Sequence, residues 1–263
     1  MEQKKCLIVY FGNGYSENVL SHNLEYYYSV DMRENKENHH EMIYQPLYDL
    51  GYKIDNVLVT NKHEHYDEFV KEYSAIPVFY DEITKEDEGN LYNYYALKVP
   101  KEHGPGSLRS GGRFLKLVDK LPEYDQYVFI RADVQFKVKL SELKVDFEKI
   151  NYLWPETDYR LYTDLRQSFM DTIKTEKIYW NEYYRVNGNV LNVVPKKYIN
   201  IFLTYFWLEH VSLYMMFKEL EPLITYEKDV NLMCGEDTCY VSDIRYCENP
   251  VYTFNKKIIK ENV

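Results

Sequence analysis

The sequence predicts an α/β domain, a mostly parallel central sheet flanked by helices. Short apolar runs, too continuous for half-exposed strands, recur at 6–11, 56–60, 77–80 and 127–130. Helical spacings of apolar residues separate the first three, and strand, helix, strand, helix, strand is the order a right-handed βαβ sheet requires. The length, 263 residues, suits one large unit better than two, so 1–263 reads as a single domain. A chain of that size buries ~70–75% of its unfolded surface and needs no disulfide or metal staple.

Taken in order, Cys6-Leu7-Ile8-Val9-Tyr10-Phe11 ends at Gly12 and reads as a buried strand. Ser16 is placed to cap a helix with Val19, Leu20 and Leu24 on one face. The charged stretch 31–40 reads as loop. Met42, Ile43, Leu47 and Leu50 then predict a helix that Gly51 ends. Residues 56–60 form the second strand, Tyr66, Phe69, Val70 and Tyr73 a helix, and 77–80 the third strand. After the Gly-dense stretch 103–113, Phe114, Leu115, Val118 and Leu121 mark a helix leading to the central strand 127–130. That strand delivers Arg131-Ala132-Asp133 at its carboxyl end. Residues 190–194 form a later strand, and Ile199, Phe202, Phe206, Leu213 and Phe217 a long amphipathic helix ending before Pro222.

Composition narrows the partners. The formal net charge is −10 and the pI about 5.3, which argues against nucleic acid, because phosphate binding needs a basic face. Apolar residues make up 45% of the chain, excluding wholesale disorder. The 29 tyrosines read first as codon bias. Residues 6–11 are too short for a signal-peptide core, and the longest apolar stretch, 198–208, is too short for a transmembrane segment. Cys6, Cys234, Cys239 and Cys247 form no Cys-x-x-Cys pair, so free thiols in a reducing cytoplasm are expected.

Several groups of residues can carry chemistry. Gly12-Asn13-Gly14-Tyr15-Ser16-Glu17 half-matches a dinucleotide fingerprint, but the third glycine and the acid ~20 residues on are missing. A tight turn, or a loop against another nucleotide, fits better. Asp133 can hold a divalent metal on a phosphorylated substrate or cap the following turn. Glu236 and Asp237 precede a short helix, where a carboxylate can act as a general base or simply cap. His39-His40 and His63-Glu64-His65 read as solvated loop or helix-start residues, since His63 and His65 diverge on a helix and cannot share an ion. Trp154, Trp180, Tyr183 and Tyr184 can stack on sugar rings or pack in the core.

Four segments in order resemble the GT-A-fold, nucleotide-sugar-dependent glycosyltransferases of bacterial capsule clusters and large DNA viruses. They are Tyr10-Phe11-Gly12, the run Asp55-Asn56-Val57-Leu58-Val59-Thr60, Arg113-Phe114-Leu115-Lys116-Leu117 before the strand ending Arg131-Ala132-Asp133, and Arg185-Val186-Asn187-Gly188-Asn189. The resemblance spans roughly residues 5–250. It implies a nucleotide-binding half at about 1–136 and an acceptor-side half at about 137–263.

By position, the resemblance assigns Phe11, Gly12, Asn13 and Thr60 to the base and ribose, Arg109 or Arg113 to the diphosphate, and Asp133 to Mn²⁺ or Mg²⁺. Asp237 or Glu236 would be the base that activates the acceptor. The second acid of the usual Asp-x-Asp is Gln135 here, so Arg131, Lys256 or Lys257 stands as an alternative cation for the leaving diphosphate. The implied function is sugar transfer from a nucleotide-sugar donor to a glycan or lipid-linked acceptor. Two other classes stay open: a non-catalytic nucleotide- or glycan-binding module, and a Rossmann-type oxidoreductase or methyltransferase using the 12–16 turn.

Overall fold

A computed structural model describes residues 3–12, 14–20, 26–60, 63–79, 123–153, 190–200, 202, 226–234 and 251–261. They belong to two compact units, one of Met1–Glu82, Tyr124–Glu142 and Pro250–Val263, the other of Ile83–Glu123 and Leu143–Asn249.

The first unit is built on the apolar runs. Residues Lys5–Phe11 form β1, Lys53–Thr60 β4, Ala75–Phe79 β5 and Gln126–Arg131 β6. They lie in the order β6-β1-β4-β5, all parallel. Burial explains the pattern: Cys6, Leu7, Ile8, Val9 and Tyr10 on β1 and Val128, Phe129 and Ile130 on β6 are wholly inaccessible. A Val, Leu, Ile or Phe side chain so buried contributes about 1.5–3 kcal/mol over an exposed one. The register sets Phe11 beside Val59 and Arg131, so three strands end at one level.

The Ser16-capped helix is not formed. Residues Tyr15–Leu20 are a strand, β2, paired antiparallel with β3 (Tyr26–Asp31). β3 in turn pairs antiparallel with β12 (Lys256–Glu261). A Tyr- and Val-containing run suits a pleated surface, and pairing with β3, itself held by a strand more than 200 residues away, outweighs a local capping signal. β7 (Val134–Phe136) and β11 (Tyr252–Phe254) form a further antiparallel pair.

The expected loop at 31–40 is also corrected, because it is helical. Met32–Asn35 is a 3-10 turn whose start is capped by the Asp31 carboxylate, accepting from the Arg33 N–H. It runs into α1 (Lys36–His39), a π turn at His40–Tyr44, and α2 (Gln45–Asp49). Pro46 sits in the first turn of α2 and has no N–H to give, and the wide turn before it absorbs the missing bond. Gly51 follows at φ +84°, the left-handed ending expected there. Residues Tyr66–Glu72 form α3 as its spacing predicts.

The second unit holds β8 (Ile150–Tyr152), β9 (Leu191–Pro195) and β10 (Val230–Leu232), with β8 parallel to β10 and antiparallel to β9. Asn151 organises them. Its amide donates to the Asp146, Lys149 and Val193 carbonyls, and its Oδ1 accepts from the Asp146 N–H and from Asn231. The helix expected at 199–217 lies largely outside the described residues.

Candidate functional site

Ligands of open α/β sheets bind outside the carboxyl ends of the strands. At that edge of the first unit, β1 ends in Phe11-Gly12, β4 in Thr60 and β6 in Arg131. Gly12 has φ +94°, a conformation that glycine adopts without a Cβ penalty. The Ala132 N–H donates to the Phe11 carbonyl at 2.8 Å, tying the β1 and β6 ends together. Buried Thr60 accepts from the Gly14 N–H at 2.9 Å. Gly14 is hemmed in: a Cβ there would lie 3.0 Å from Met32 Sδ and 3.2 Å from both Phe69 and Thr60 Oγ1. The turn after β1 is therefore packed against β4.

Asp133 closes the edge. Arg131 Nε–H donates to Asp133 Oδ1 at 2.7 Å and Nη2–H to Oδ2 at 3.0 Å, a bidentate charge-assisted pair. The carboxylate side chain is 3% exposed and that of the arginine 29%. The guanidinium also lies over the Phe254 ring, 4.8 Å from its centre. Burial, and next the negative charge of Asp133, push the nearby Tyr28 hydroxyl above its ordinary pKa.

The residues around Asp133 do not fit a divalent metal. Hard cations want several carboxylate or carbonyl oxygens turned toward one point. Here both Asp133 oxygens are taken by one guanidinium, and Gln135 directs its amide nitrogen to the Glu34 carbonyl oxygen, 3.4 Å away. Among the described residues, no three His, Cys, Asp or Glu side chains are grouped to hold an ion.

The 31–39 segment holds this edge in place. Asn35 donates to the Ala132 carbonyl at 2.8 Å, and His39 Nε2–H donates to the Val134 carbonyl at 2.7 Å. Asn38 pairs with both the N–H and the carbonyl of Phe136, at 2.7 and 2.8 Å. From the other side, the Asn255 N–H donates to the Asp133 carbonyl at 2.7 Å, and its side chain donates to Asn35 Oδ1 at 3.0 Å. A short loop with this many carbonyls would otherwise leave buried acceptors unpaired. His39 is fully buried, not solvated as expected, and stacks on Tyr10.

Next to Gly14, whose carbonyl accepts from the Met32 N–H at 2.8 Å, lies a second ionic cluster. Asp31 receives Arg33 through both carboxylate oxygens, the closest contact being 2.6 Å, and Arg33 also donates to Glu68 at 2.8 Å. Burial works against the Asp31 charge, but the Arg33 hydrogen bonds hold its carboxyl below the ordinary value. The Tyr15 ring packs edge-on against His65, with ring centres 4.6 Å apart. His63 is half-buried against Phe69 and Tyr66 rather than solvated, and its Nε2 is buried with no partner. Burial, and then His65, lower its pKa to about 4.

The structure thus brings Phe11, Gly12, Thr60, Arg131 and Asp133 to the carboxyl edge of one sheet. Asn13, Arg109, Arg113, Glu236 and Asp237 lie outside the described residues, as do Trp154, Trp180, Tyr183 and Tyr184. Lys257 pairs with Glu34 at 2.5 Å. Sequence reasoning missed Asn35, Asn38, Asn255 and the Arg33 cluster. The available signal for the Arg33 cluster was the spacing Asp31-x-Arg33, an acid at a turn start two residues before a base that the turn folds back onto it.

No protein-family model matches the sequence, and no curated protein does. Among solved structures, the chain is similar to mouse xyloside xylosyltransferase 1 in its apo form, at 10% identity and a TM-score of 0.41, over 87% of this chain and 84% of that one. It is also similar to a glycosyltransferase involved in glycosylation of the major capsid of PBCV-1, at 10% identity and a TM-score of 0.30, over 95% and 94%.

Proposed function

We propose that the chain is a glycosyltransferase that moves a sugar from a nucleotide-sugar donor to a glycan or lipid-linked acceptor. The observation that supports it best is the shared carboxyl edge of β1, β4 and β6, where Phe11-Gly12, Thr60 and Arg131 end at one level. In this reading Gly12, in its left-handed conformation, lets a ligand approach the backbone, while Thr60 fixes Gly14 through its N–H. Phe11, Gly12, Asn13 and Thr60 cradle the base and ribose. Arg131 lies at the diphosphate, with Arg109 or Arg113 as a further cation.

In the reaction, the bond from the anomeric carbon to the β-phosphate oxygen breaks, and its electron pair leaves with the nucleoside diphosphate. The acceptor oxygen bonds the same carbon, and its proton passes to a carboxylate, Asp237 first and Glu236 second. Charge grows on the departing oxygens, so a fixed cation facing them lowers the barrier more than it strengthens ground-state binding.

Thermal shift with uridine, guanosine, cytidine and thymidine diphosphates, and with their sugar conjugates, tests the reading. One base is expected to raise the melting temperature, with the diphosphate acting more strongly than the nucleoside. Binding without any turnover in the presence of acceptors would identify a binding module instead. Response to NAD or S-adenosylmethionine alone would contradict the proposal.

A further inference from the structure

We infer that Arg131, anchored by Asp133, takes the place of a divalent cation at the carboxyl edge, so that nucleoside diphosphate binds without metal. This rests on the nucleotide-sugar reading above.

Asp133 is buried and Arg131 is the exposed member of the pair, so the edge offers a bound anion a guanidinium rather than a carboxylate awaiting a metal. The pair is bidentate, which fixes the guanidinium plane as well as its position. Phe254 supports one face of that plane, 4.8 Å from the ring centre. The Asp133 backbone is itself held, through its carbonyl, by the Asn255 N–H. The cation is therefore placed before any ligand arrives, as a preorganised site for developing negative charge requires. A metal on Asp133 would have to share both oxygens with a guanidinium already bonded to each, cation beside cation. It would then find at Gln135 an amide turned to the Glu34 carbonyl. Asp133 is in this account a positioning residue, and Arg131 the group that meets phosphate oxygen.

Calorimetric titration of the intact chain with uridine diphosphate and guanosine diphosphate, in EDTA and again in Mn²⁺, tests the inference. The affinity of whichever diphosphate binds is expected to change less than about threefold between the two conditions. Arg131→Lys, which keeps charge but loses the fork, is expected to weaken it about tenfold. Mn²⁺ titrated alone, followed by water-proton relaxation, is expected to give the same curve for wild type and Asp133→Asn. A loss of tenfold or more in EDTA, or an Mn²⁺ site that Asp133→Asn removes, overturns the inference and leaves the nucleotide reading standing. Failure of these two, and of cytidine and thymidine diphosphate titrated in the same way, to bind in either condition overturns both.

Discussion

His39 donates its Nε2–H to the Val134 carbonyl at 2.7 Å, while its buried Nδ1 meets no partner. One bond thus ties α1 to the strand that follows Asp133, and it fixes the imidazole as the neutral Nε2–H tautomer. Burial lowers the His39 pKa from 6.5 to about 4.

The pH dependence of stability follows from that shift. The unfolded chain takes up a proton near pH 6.5, and the folded chain resists it until about pH 4. This contribution is therefore complete above 6.5 and is lost as pH falls through that window, by on the order of 3 kcal/mol. His63 titrates over the same range in the same direction. Urea unfolding of wild type and His39→Gln at several pH values checks it. The glutamine can donate to Val134 but not titrate, so its stability is expected to fall less steeply on acidification.

Breaking the pair at the edge is predicted to cost more than removing it. Arg131→Ala leaves the 3%-exposed Asp133 side chain without that cation, an expected loss of about 3–5 kcal/mol. The double variant Arg131→Met, Asp133→Asn is expected to recover a large part of it. A double-mutant cycle by chemical unfolding measures the coupling.

Asn38→Ala removes the partner of both polar backbone groups of Phe136. A loss of about 1–3 kcal/mol is expected, with faster amide exchange at Phe136 than in β1. Uniform exchange across both strands would place the clamp elsewhere.

Gly14→Ala crowds Met32, Phe69 and Thr60 at 3.0–3.2 Å, so a cost of about 1–3 kcal/mol is expected. Because Thr60 is one of the crowded groups, nucleotide affinity is expected to fall along with the melting temperature.

Asn192 on β9 is 1% exposed, and neither its amide nitrogen nor its oxygen has a partner. Asn192→Leu is of similar size and removes that unmet demand, so the variant is expected to be as stable or about 1–2 kcal/mol more stable. A loss of stability on thermal unfolding would contradict this.

The parallel sheet was legible because its strands are buried on both faces and so appear as unbroken apolar runs. Cys6 to Phe11 and Tyr127 to Ile130 need only local reading, and the acid at 133 follows from the strand end. The β2-β3-β12 sheet was not legible, since Tyr15–Leu20 is held by Tyr26–Asp31 and that strand by Lys256–Glu261. The 31–39 segment misled for another reason: its polar residues look solvated, yet Asn35, Asn38 and His39 turn inward to satisfy backbone carbonyls around Asp133. The resemblance marked Asp133 as a metal ligand. Only side-chain geometry reveals that Arg131, two residues earlier, fills both of its oxygens.

The most direct test of nucleotide-sugar transfer is turnover. The chain is incubated with a panel of nucleotide sugars and an oligosaccharide mixture, and mass spectrometry follows the products. One donor is expected to yield its nucleoside diphosphate together with an acceptor heavier by one sugar. Asp237→Asn is expected to cut that rate by about 10²–10⁴-fold with donor affinity nearly unchanged. Absence of both diphosphate release and donor binding across the whole panel would contradict the account.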